Sequence, residues 1–114
     1  MIIVNDPRKK DLYNLLRALG FQTIHENYEG YYKLKKLYDK LLYDIFGKDI
    51  LKGNSEGFYW DQARNKLEEV FSSIKIAQEA KKRGNILLEE KANLLKTKAL
   101  NEFSEKIKIL EKFI

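Results

Sequence analysis

The chain has 114 residues and a mass of 13.5 kDa, with 44% apolar and 34% charged side chains, a net charge of +5 and no cysteine. That length fits a single domain, 1–114, able to bury roughly two-thirds of its unfolded surface around one core. The missing cysteine excludes disulfides, thiolate metal sites and cysteine nucleophiles, and makes an intracellular location the simplest reading.

No window approaches the roughly 18 apolar residues that a membrane span needs. The leading MIIV run is too short for the core of a signal peptide, so a cytoplasmic protein is expected. The positive balance permits contact with an anionic partner, but it is spread along the chain. Residues 1–60 carry 10 basic and 8 acidic side chains, and residues 61–114 carry 12 and 9. Lysine supplies 18 of the 22 cations, and it lacks the planar fork with which arginine grips phosphate or guanine. This pattern reads as a solvated helical surface rather than an electrostatic arm. One proline and six glycines favour long helices over short strands and turns.

The first helix is expected over residues 6–19. Asn5 or Asp6 can cap it, Pro7 suits its first position, and Gly20 suits the residue just past its end. Leu12, Leu15, Leu16 and Leu19 form its apolar stripe. The second helix is expected over 24–46, opened by a capping box of Thr23 and Glu26 and closed by Gly47. The segment GKDILKGNSEG then reads as the main loop.

The third helix is expected over 56–83, starting near Ser55 and stopping at Gly84, with Trp60, Ala63, Leu67, Val70, Ile74 and Ala77 on one face. The fourth is expected over 86–113, capped by Asn85. Its stripe of Leu88, Ala92, Leu95, Ala99, Phe103, Ile107, Leu110 and Ile114 keeps close to the period of a straight helix. Leu94, Leu100, Ile109 and Phe113 widen that stripe beyond what one neighbouring helix covers. Because no stripe can be hidden alone and the connections are short, the fold expected is all-α, a compact antiparallel four-helix bundle. A single kinked helix from 58 to 113 is the rival.

The stretch EGYYKLKKLYDKLLYDIFGK holds five lysines and four tyrosines. On a helical wheel Leu34, Leu37, Leu41, Leu42 and Ile45 share a face with Tyr31 and Tyr38, whose hydroxyls should reach the rim. Tyr28 falls on another side, near a patch of Tyr32, Lys33, Lys36, Lys40 and Tyr43. Exposed aromatics between lysines can stack on bases and neutralise phosphates. Burial beneath helix one or the loop is the first reading of the tyrosines and contact with a partner protein the second, and Asp39 and Asp44 oppose an anionic ligand. Lys75, Lys81, Lys82 and Arg83 form a second basic cluster, explained also by the negative end of a helix dipole. Tyr59, beside the core candidate Trp60, is a further candidate contact.

Catalytic constellations are missing from the pattern. The one histidine, His25, has only Glu29 at a ligand-like spacing, and Gln22 stands where a dimetal carboxylate bundle needs glutamate. Seven residues, Gly20 among them, separate Arg17 from His25, which is too many for the Arg–His motif of helical HEPN ribonucleases. Glu26 with Glu29 and Glu102 with Glu105 have the ExxE spacing of helical nucleotide pyrophosphatases, but no ExxD pair accompanies them. No glycine-rich phosphate loop is present. No metal, cofactor or small-molecule substrate is expected, nor a membrane.

The reading that remains is a non-enzymatic protein that binds a protein partner or itself, as one subunit of an assembly. The alternative is a binder of the nucleic-acid backbone, a minor ribonucleoprotein subunit using its lysine and tyrosine patches.

Overall fold

A computed structural model describes residues 3–114, and its helix ends follow the local signals at two of the three junctions between helices. The four helices are α1 (Lys9–Ile24), α2 (Tyr28–Phe46), α3 (Glu56–Lys82) and α4 (Ile86–Glu111), with a 3-10 turn at Gly47–Leu51. Asn27, Ser55 and Asn85 cap α2, α3 and α4, each side-chain oxygen accepting a backbone N–H from three residues on. Gly84 adopts φ of 69°, and the Asn85 amide reaches back to the Ala80 carbonyl at 2.8 Å. That closure ends α3 and turns the chain sharply, so α3 and α4 are separate helices and not one kinked rod.

The first junction departs from expectation. Gly20 does not stop α1; the helix runs four residues further. A Cβ on Gly20 would lie 2.9 Å from the Phe103 ring, so this glycine makes room for that ring of α4 to seat against α1. The capping box of Thr23 and Glu26 does not form either. Thr23 is buried and its hydroxyl donates to the Leu19 carbonyl at 2.8 Å. Glu26 takes the left-handed position after the helix, φ 54°, and Asn27 does the capping. At the amino end Asp6 Oδ1 accepts from the Arg8 amide at 2.9 Å, and regular helix begins only at Lys9.

Side-chain pairs fix the topology. Tyr13 donates to Glu111 at 2.6 Å and Gly20 meets Phe103, so α1 and α4 run antiparallel. Asp39 with Arg64 and Lys35 with Glu68 make α2 and α3 antiparallel, and Lys66 with Glu102 does so for α3 and α4. The expected antiparallel four-helix bundle is the architecture observed, all-helical among the described residues.

Leu12, Leu16, Leu19, Tyr31, Tyr38, Leu42, Phe46, Trp60 and Leu67 form the main core, joined by Phe103 and Leu110. Most polar groups inside it are paired. Tyr38 donates its hydroxyl to the Trp60 carbonyl at 2.7 Å, inside the core and not at its rim. The buried Glu56 carboxylate accepts from Trp60 Nε1, Lys9 Nζ and the Val4 amide, tying the amino-terminal segment to α3. The Tyr31 hydroxyl is buried without a partner.

Two helices outgrow the other two. At 1.5 Å per residue α3 and α4 are each about 40 Å long, and α1 and α2 about 24 and 28 Å. The molecule measures 51 × 26 × 22 Å, and its radius of gyration of 15.4 Å exceeds the roughly 13 Å usual for this length. Beyond a small second cluster of Val70, Ile74 and Ala99, the distal α3–α4 hairpin has only itself to pack on. Leu88 and Leu95, expected in the core, are therefore exposed.

Candidate interaction site

The residues singled out from the sequence fall on three separate surfaces. Tyr32, Lys33, Lys36, Lys40 and Tyr43 lie along the outer face of α2, and all are exposed. Neither α1 nor the loop covers the tyrosines, which settles one alternative the sequence left open. Tyr28 and Tyr32 lie with centroids 6.2 Å apart and planes 23° apart, and Lys36 Nζ sits 4.7 Å from the centre of the Tyr32 ring. Lys33 pairs with Glu29 at 3.5 Å. Leu37 is 58% exposed on the same helix. It precedes Tyr38 and so points about 100° away from the buried stripe.

Tyr59 stands partly exposed in the first turns of α3, its ring 6.2 Å from Phe58. The basic cluster sits at the other end of that helix. Lys81, Lys82 and Arg83 are exposed there, with Lys82 3.9 Å from Glu79. Lys75 lies one to two turns earlier, at the edge of the α3–α4 groove.

Between α2 and α3 a charged cluster surrounds Arg64. Its guanidinium reaches Asp39 at 3.0 Å, Asp61 at 3.2 Å and Glu68 at 3.0 Å, and Lys35 reaches the same Glu68. Burial opposes the Arg64 charge, but Asp39 and Asp61 outweigh it and raise its pKa. Burial pushes the Asp39 carboxyl up against the pull of Arg64 and Lys35, and burial pushes the Tyr31 hydroxyl up as well. Each carboxylate here stands within 3.2 Å of a cation, and the cluster fastens α2 to α3. His25 is exposed at the end of α1 with its ring 4.3 Å from Phe21. Among the described residues, no three His, Asp or Glu side chains converge as metal ligands would, and no helix is long and apolar enough to cross a membrane.

The largest aliphatic exposure is on the distal hairpin, where the sequence reading placed only part of a stripe. Leu94 is 71% exposed, Ile86 70%, Leu87 64% and Leu95 55%, with Ile76 and Leu88 beside them at more than two-fifths. Two hollows of about 480 and 250 Å³ run along the seam between α3 and α4, joined through Ile76 and floored by Ala80, Leu88, Leu95 and Ala99. The sequence signal for this surface is the pair of leucine doublets, 87–88 and 94–95, spaced seven apart. Such doublets give an apolar arc too wide for one neighbour. Searches of family models, curated proteins and solved structures find no match to the chain.

Proposed function

We propose that the protein is a non-enzymatic binding module that docks a partner protein on the distal half of its α3–α4 hairpin. One observation carries the reading: six large aliphatic side chains, Ile76, Ile86, Leu87, Leu88, Leu94 and Leu95, stand in water at one end of the molecule. Single exposed leucines are ordinary, but Ile76, Leu88 and Leu95 line a groove with Leu87 and Leu94 exposed on the adjoining side of α4, and such a grouping is the usual mark of an interaction surface. The overhang supports the same reading at the hairpin tip, where α1 and α2 are too short to cover Ile86, Leu87 and Leu88.

Co-purification from the native host, with wild-type protein and with Leu87→Asp/Leu94→Asp, tests the proposal. A partner retained by the wild type and lost by an equally stable variant supports it. A partner held equally by both contradicts it.

A second reading belongs to α2, where the Tyr28–Tyr32 pair and Lys36 over Tyr32 form a surface on which unpaired bases could stack. Gel shifts with single-stranded RNA and DNA at two ionic strengths test it. The reading requires binding that falls steeply with salt, as released counterions dictate. It fails if nothing binds at low salt.

A further inference from the structure

We infer that the occupant of the distal α3–α4 surface is an acidic amphipathic helix of a different protein; this rests on the docking reading above and specifies its partner. The charge pattern on α4 carries the argument. Lys91 lies four residues after Leu87, three after Leu88, three before Leu94 and four before Leu95. Residues at those spacings are neighbours on a helix surface, so one cation stands at the centre of four exposed leucines. Lys98 repeats the arrangement one step on, three and four residues after the second doublet. Lys91 makes no ion pair among the described residues, and Lys98 has only Glu102 at 4.0 Å. Lys75 and Arg83 outnumber Glu79 along the α3 edge of the distal hollow.

A helix laid beside this seam buries its apolar stripe on the leucines and Ile76. It must then face Lys91 and Lys98 with carboxylates, because a cation desolvated without a partner is costly. The seam has the length for such a guest. From Lys66 to Arg83 it follows α3 for about 26 Å, some five turns of helix.

The other occupants fit less well. A second copy meeting α4 about a two-fold axis would centre on residue 91, midway between Leu87 and Leu95, and so bring Lys91 against its own mate. A membrane fits less well because the surface is grooved between two helices, where a membrane anchor presents a projecting apolar face.

The test uses the full chain and two labelled synthetic peptides of about 18 residues, roughly the span of the seam. Both carry leucine at heptad core positions, with glutamate between them in one and lysine in the other. Fluorescence anisotropy should show the acidic peptide binding at least tenfold more tightly. Lys91→Glu/Lys98→Glu should reverse that preference, and Leu94→Asp should abolish binding of both with an unchanged melting curve. Equal binding of the two peptides by the wild type overturns the charge-directed inference but leaves apolar docking intact. Binding of neither peptide, by a protein that light scattering finds monomeric, overturns both. A dimer dissociated by Leu94→Asp makes the occupant a second copy. Binding to phosphatidylserine vesicles lost in Leu94→Asp makes it a membrane. Either of those last two results also overturns the inference.

Discussion

Trp60 Nε1 donates to Glu56 Oε2 at 2.9 Å, one turn earlier on α3, and the other oxygen of that carboxylate takes Lys9 Nζ at 3.2 Å and the Val4 amide at 2.9 Å. One buried anion thus holds the core indole, the first residue of α1 and the amino-terminal segment. Glu56→Gln keeps the shape, removes the charge and strands Lys9, whose side chain is 5% exposed. A loss of about 3 kcal/mol is expected, since breaking a buried pair leaves an uncompensated ion. Adding Lys9→Met should recover part of it. Urea unfolding followed by Trp60 fluorescence measures both, and a single variant as stable as wild type would refute the assignment.

The two core tyrosines should respond oppositely to loss of their hydroxyls. Tyr38→Phe removes the donor to the Trp60 carbonyl and should cost about 1 kcal/mol for the lost hydrogen bond, since that oxygen still accepts within α3. Tyr31→Phe removes a buried hydroxyl that has no partner, so its stability should stay level or rise. Thermal melts of the pair give the answer, and equal losses would contradict it.

Gly20 tests the seating of the Phe103 ring of α4 against α1. Alanine is the better helix former by about 1 kcal/mol, yet its Cβ would lie 2.9 Å from Phe103 Cε2. Overpacking should win, with a net loss of about 1–2 kcal/mol. Shortening the ring in Gly20→Ala/Phe103→Leu should make the two changes non-additive, because alanine then fills space the ring vacated. Chemical denaturation of the four-membered cycle measures the coupling, and simple additivity would speak against the contact.

Acid should loosen the α3–α4 seam through Glu102. Its pKa is lowered from 4.5, first by the hydrogen bond from Lys66 and then by the charges of Lys66, Lys98 and Lys106. A depressed carboxylate contributes stability that is present above 4.5 and is lost as pH falls through the lower folded value. Stability against pH should therefore drop less steeply below 4.5 in Glu102→Gln than in the wild type. Parallel curves for the two proteins would remove the effect.

The helices and most of their caps were legible because each signal is local. Ser55, Gly84 and Asn85 act within a few residues of themselves, and no tertiary partner competes with them. Gly20 was misread because its cause is Phe103, 83 positions away in the sequence, and glycine near a helix end has two physical meanings that the sequence alone does not separate. Thr23 failed as a cap for a related reason: burial beside Leu19 gives its hydroxyl a carbonyl to serve. On the interaction surface, the periodicity of α4 showed an arc too wide for one neighbour. It could not show that Leu88 and Leu95 lie beyond the reach of α1 and α2, since that follows from comparing helix lengths after docking. The exposure of Tyr28, Tyr32 and Tyr43 was hidden because it depends on where α1 and the loop pack, which no local signal in α2 records.

Where a ligand touches this molecule is the question on which the account stands. Amide chemical shifts of the labelled full-length protein, followed while the acidic amphipathic peptide is added, read that directly. The account predicts shifts clustered between Ile76 and Lys98, with α2 left unmoved. Shifts running from Tyr28 to Tyr43 with the hairpin silent would contradict it.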